Sequence, residues 1–123
     1  MGKNSQLIGL NDRLTAEIVK SRDPLCKLNL TGCSRYTTDT MHVFGRRNFA
    51  TRWDTRAIFG GCRECHTFID THPEQKKMKF TLLMGKSLYD ELEQKSNKVC
   101  KLSTSDLKEI TKSLHKQYEQ TKI

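Results

Sequence analysis

The chain has little with which to build a core. Only 35% of its 123 residues are hydrophobic and a single one is tryptophan. A domain of that make-up gains too little from apolar burial alone and leans on a metal or on disulfides. No apolar run approaches the length of a bilayer span, which excludes an α-helical membrane protein. No signal-peptide pattern opens the sequence, and Gln6 stands where an N-myristoylation signal beginning Met1-Gly2 has Ser or Thr. These absences predict a cytoplasmic protein with no membrane partner. Internal repeats and low-complexity segments are missing too, and the length fits one domain.

Cysteine, by contrast, is well supplied and unevenly placed. Cys26 and Cys33 form one pair, and Cys62 and Cys65 a second. In a reducing compartment clustered cysteines bind metal more readily than they form disulfides, and two separated pairs supply the four thiolates of a closed tetrahedral zinc site. The bland alternative is a set of buried free thiols. The Cys62–Cys65 spacing argues against it, whereas the six residues between Cys26 and Cys33 exceed the two to four of a typical knuckle. Cys100 lies far from the cluster on a polar stretch and reads as a free thiol.

The net charge is +8, and residues 41–63 carry half of it: Arg46, Arg47, Arg52, Arg56 and Arg63 against Asp54 alone. Every cation there is arginine, the better bidentate ligand for phosphate. A polyanion is the expected partner, and nucleic acid is the natural one, with Arg46, Arg47, Arg52 and Arg56 as the DNA-binding set. Trp53 lies within this stretch. Aromatic interleaving can mean base stacking, but the only tryptophan of a small domain is better read as a core anchor.

Periodicity predicts a helix over 12–21, closed by Asp23-Pro24, and then a knuckle-like loop to about Thr40. Short strands follow near 40–44 and 56–61, with Gly60-Gly61 as a tight turn delivering Cys62 and Cys65. A short helix covers Cys65 to Thr71. Helical segments continue from Pro73 to about Met84, from a capping box at Ser87–Asp90, and from a second box at Ser103–Asp106 with Leu102 and Leu107 as a staple. Leu107, Ile110, Leu114 and Tyr118 form an apolar stripe on the last helix, either core packing or the face of a partner or homodimer.

Two histidines accompany the cysteines. His42 lies between the pairs and offers a proton carrier at neutral pH, although a strand histidine is often only a satisfied core residue. His66 follows Cys65 directly and pairs with Asp70 at i, i+4, a spacing that lets an imidazole and a carboxylate share Mg²⁺ or Mn²⁺. His72, before Pro73, either adds a ligand, replaces Asp70, or merely caps the helix.

The stretch His42-Val43-Phe44-Gly45-Arg46-Arg47-Asn48-Phe49-Ala50-Thr51-Arg52-Trp53-Asp54, followed by Cys62-x-x-Cys65-His66 and His72-Pro73, resembles the bacteriophage NinG/Rap recombination-endonuclease family. The likeness covers residues 26–73 and extends more loosely to Lys101–Ile110. It implies an HNH-type (ββα-metal) nuclease acting on branched or otherwise structured duplex DNA in a host cytoplasm. By that resemblance His42 is the general base, His66 the metal-bearing histidine, and Cys26, Cys33, Cys62 and Cys65 the structural zinc ligands. Two positions depart from the HNH pattern: Met41 stands where an acidic metal ligand often precedes the first histidine, and Ala57 where a loop-steadying asparagine would align.

The expectation is therefore a small α+β domain: an N-terminal helix (1–24), a zinc-stapled HNH core (25–73) and a helical C-terminal extension (74–123). Its catalytic residues are His42 and His66, and its catalytic Mg²⁺ or Mn²⁺ lies on His66 with Asp70 or His72. The rival is a zinc-stabilised DNA-binding or recombination accessory protein that does not cut.

Overall fold

The structure, a computed structural model, describes residues 2–122. Its order is α1 (Lys3–Arg22), β1 (Asp39–His42), a 3-10 turn (Thr55–Ala57), β2 (Ile58–Gly61), α2 (Arg63–Thr71), α3 (Pro73–Met84), α4 (Lys86–Ser96) and α5 (Thr104–Gln120). The class is α+β, as expected. Helix α1 stops where the residue before Pro24 leaves helical geometry, and Lys20 and Arg22 in its last turn complement the helix dipole. It starts nine residues before the predicted segment. Leu7, Ile8 and Leu10, in that extra stretch, pack against the cluster that holds Leu107 and Leu114 of α5. Their apolar face thus has its partner at the far end of the chain, which hides it from a local reading.

Strands β1 and β2 pair antiparallel, with Asp39 opposite Gly61 and His42 opposite Ile58. A lone two-stranded sheet is marginal in water. Here Met41 and Val43 pack with Ile69 of α2, Phe80 of α3 and Tyr89 of α4. Gly60 and Gly61 are strand residues rather than the expected turn. A Cβ on Gly60 would lie 2.8 Å from Asp23, and one on Gly61 2.5 Å from Met41, so close approach explains both glycines.

Gly85, at φ 86°, separates α3 from α4. Helix α4 begins immediately after it, so the box expected at Ser87–Asp90 does not form, and Asp90 instead takes the Lys86 ammonium at 2.8 Å. The box at Ser103 and Asp106 does form, with reciprocal bonds of 3.1 and 3.0 Å. Helix α5 lays its stripe on α1, and Trp53 (6% exposed) is buried in the same cluster. That stripe is core packing, the first of the two expectations for it.

Candidate metal centre and histidine cleft

The two cysteine pairs meet. The sulfurs of Cys26, Cys33, Cys62 and Cys65 all lie within 4.8 Å of one another, and Cys33 and Cys62 are 3.7 Å apart. Tetrahedral zinc with Zn–S of about 2.3 Å places its sulfurs roughly 3.8 Å apart, so the set fits that ion. The long first knuckle closes through its backbone. Asn29 and Gly32 adopt positive φ, and an antiparallel bridge between Leu25 and Tyr36 pinches the loop shut. Its sulfurs also gather amide donors: Arg35 N–H points to Cys33 Sγ at 3.3 Å, and Cys65 N–H to Cys62 Sγ at 3.4 Å.

Cys62 caps the N-terminus of α2, where amides and the helix dipole favour a thiolate. Burial works against its ionisation, but the amide of Cys65 and hydrogen bonds from Ser34 outweigh it and bring the thiol to about 6. Burial pushes Cys33 and Cys65 up; the other three sulfurs add to the rise at Cys65, and those of Cys62 and Cys26 add to it at Cys33. One thiolate forms readily, at Cys62, while those of Cys33 and Cys65 are held back. A divalent cation is what removes the remaining protons from such a cluster. The four cysteines can therefore hold a metal ion. Cys100 lies apart from them as a free, partly buried thiol.

Beside this centre is a cleft of about 440 Å³ whose lining includes His42, His66, Asp39, Arg63, Arg13 and Lys20. Sequence reasoning missed Asp39. Its Oδ2 lies 2.8 Å from both His66 Nδ1 and Arg63 Nε. Burial opposes ionisation of Asp39, but the hydrogen bonds from His66 and Arg63 prevail and hold its carboxyl below the ordinary range. Nothing local marks it out. The register sets Asp39 against Gly61, and α2 then carries Arg63 and His66 past it.

Asp70 Oδ2 sits 3.2 Å from His66 Nε2, as the i, i+4 spacing predicts. Both ring nitrogens of His66 thus face carboxylates. His72 takes no part. It lies outside the cleft lining, its ring stacked on Phe68 at 4.0 Å and its Nδ1 2.8 Å from the Phe68 carbonyl.

His42 Nε2 lies 3.2 Å from the Arg52 carbonyl oxygen. A carbonyl can only accept, so Nε2 carries the proton and Nδ1 keeps its lone pair. Burial is the main cause that lowers the imidazole from 6.5 to about 4, and Arg46 adds to it. Met41 is 1% exposed and belongs to the core, and Ala57, 1% exposed, has no polar side-chain atom with which to steady the loop.

Three of the four arginines expected to bind DNA make ion pairs. Arg46 and Arg52 pair with Asp12 of α1 at 2.9 and 2.7 Å. Arg56 pairs with Asp54 at 2.8 Å and with Glu91 at 3.3 Å. Only Arg47 of the expected DNA-binding four makes no ion pair among the described residues. Arg13 and Lys20, exposed on α1, line the histidine cleft and make no ion pair among the described residues. A second cavity of about 460 Å³ lies between Trp53 and α5, but it holds no histidine or cysteine, and its Asp54 is already bonded to Arg56 and Lys95. No protein-family model, curated protein or solved structure matches the chain.

Proposed function

We propose that this protein is a metal-dependent endonuclease of HNH type that hydrolyses DNA phosphodiester bonds, its core stapled by a structural zinc on Cys26, Cys33, Cys62 and Cys65. The observation that carries the reading is the cleft that brings His42 and His66 together beside the cysteine cluster. β1, α2 and α1 line that cleft, and the chain order β1, β2, α2 agrees with a ββα-metal core. His42, neutral at pH 7 and bare at Nδ1, accepts a proton from the attacking water. His66 would hold a divalent ion (Mg²⁺ or Mn²⁺) with Asp39, with Asp70 beside it. Such an ion, when bound, supplies charge stabilisation to the leaving oxygen.

Phosphate contacts move from the arginine loop toward α1. Arg52 and Arg56 are committed to carboxylates, whereas Arg13, Lys20 and Arg47 offer charge to a DNA backbone without breaking an ion pair. Contacts of that kind give affinity with little sequence preference, which suits a substrate recognised as branched or structured duplex. Met41 and Ala57 favour the second reading, a DNA-binding recombination accessory protein, because neither supplies a polar atom to the cleft.

Nicking of supercoiled plasmid decides between the two. With Mg²⁺ or Mn²⁺ the parent nicks DNA and a chelator stops it. His42→Ala loses about 10²–10⁴-fold in rate while keeping its zinc and its DNA affinity. His66→Ala also loses cleavage, and excess Mn²⁺ partly restores it. No metal-dependent cleavage of linear, nicked or four-way-junction DNA by the parent selects the accessory reading.

A further inference from the structure

We propose that Asp12, on helix α1 and well before the segment that bears the histidines and cysteines, is a positioning residue for His42 that acts through the backbone carbonyl of Arg52. This rests on the reading of His42 as the base. Asp12 Oδ1 accepts from Arg52 Nε at 3.0 Å and from the Trp53 indole N–H at 2.8 Å. Its Oδ2 accepts from Arg52 Nη2 at 2.7 Å and from Arg46 Nη2 at 2.9 Å. One carboxylate therefore grips the side chains of two successive residues, 52 and 53. The peptide group between those two residues presents the carbonyl that receives His42 Nε2–H at 3.2 Å.

The forked Arg52 contact fixes a plane, and the indole contact fixes a second direction, so the intervening peptide has little freedom to rotate. Within the loop, Asp54 N–H donates to the Thr51 carbonyl at 3.1 Å, closing a turn with residues 52 and 53 at its centre, and Arg52 Nη1 donates to the Arg46 carbonyl at 3.3 Å, but both bonds stay inside the loop. Asn48 donates to the Phe44 carbonyl and Thr51 N–H to the Asn48 carbonyl at 3.1 Å, which shapes the loop internally. Neither ties residues 52 and 53 to a separate element. Asp12 does, because α1 is itself held by its packing on α5.

The consequence for His42 concerns its tautomer and its aim. A carbonyl held at Nε2 keeps the proton there and leaves Nδ1 bare for the water. If the carbonyl drifts, both tautomers become populated and the ring loses its anchor. Burial opposes ionisation of Asp12 itself, but the Arg52 and Trp53 hydrogen bonds lower its carboxyl below the ordinary range, so the clamp is charged at neutral pH.

Asp12→Asn tests this, with Trp53→Phe as a second variant that removes only the indole donor if the first does not fold. Both are compared with the parent by nicking kinetics and by ¹⁵N spectra of the His42 imidazole at neutral pH. Asp12→Asn is expected to lower kcat between about 10- and 100-fold, less than loss of the base itself, with KM for DNA unchanged or lower because a negative charge leaves the cleft. Its His42 resonances move from the Nε2–H tautomer toward a mixture, and Asp12→Glu restores part of both effects. An unchanged kcat with unchanged His42 resonances overturns the proposal and leaves Asp12 as a charge-balancing residue. A parent that does not cleave defeats the nuclease reading instead, and the ¹⁵N comparison alone then decides whether Asp12 positions His42.

Discussion

The cysteine knuckle and the arginine loop are neighbours in the chain and opposites in how they meet their electrostatic demand. In the knuckle, four sulfurs converge within 4.8 Å and could hold a metal ion from outside the chain. In the loop, Arg46, Arg52 and Arg56 find carboxylates from the same chain: Asp12 on α1, Asp54 nearby and Glu91 on α4. Most of its charge is answered internally. A run of like charges in sequence therefore says less about a partner than a cluster of ligands does. A carboxylate can arrive from any element, whereas four mutually close thiols have few other uses.

Metal removal should expose the contrast most strongly. Structural zinc contributes about 10–16 kcal/mol of apparent free energy in small metal-dependent domains. Cys62→Ser or Cys65→Ser should therefore unfold the residues around β1, β2 and α2, and elemental analysis of the parent should find close to one zinc per chain. Folded parent protein without zinc would break the comparison at its first half.

Acid should act next, and in two windows. His42 takes a proton at about 6.5 when unfolded but only at about 4 when folded. Between those values the unfolded state binds more protons, so stability falls as pH drops from 6.5 toward 4. The loss amounts to at most about 3 kcal/mol. Asp54 acts lower. Burial opposes its ionisation, but Arg56 and Lys95 bring its carboxyl to about 2, and the stabilisation present above 3.8 is lost as pH falls toward 2. Denaturant titrations across pH should show both limbs, and His42→Gln should erase the upper one alone.

The smallest effects separate arginines that hold the fold from those free to meet DNA. Arg52→Ala leaves part of Asp12 unanswered and should cost about 1–3 kcal/mol of stability. Arg47→Ala should leave stability unchanged and flatten the log–log salt dependence of duplex binding by roughly one unit. A stability loss at Arg47 with an unaltered salt slope would place it with the fold-holding arginines.

What could be read in advance was local. The stop at Asp23-Pro24, the break at Gly85, the box at Ser103 and Asp106, the His66–Asp70 pair and the Cys62–Cys65 spacing each depend on residues within a turn or two of one another. Local sequence also foreshadowed Trp53 as a core anchor, because one large ring in a chain poor in apolar residues has little alternative. The first turns of α1 escaped notice because their apolar face is satisfied by α5. Asp39, Asp12, Arg13 and Lys20 escaped for the same reason. A carboxylate or a cation on a helix or strand looks like any solvated residue until the register and the α1 docking bring it to a histidine.

The sequence by itself determined which ligands and proton carriers this protein owns and where its helices end, since capping, chain reversal and chelating pairs are short-range physics. Only the tertiary structure decided which charges are spent and which remain. Pairing one residue with another across 40 positions, as Asp12 does with Arg52, depends on how whole elements pack rather than on either residue's type.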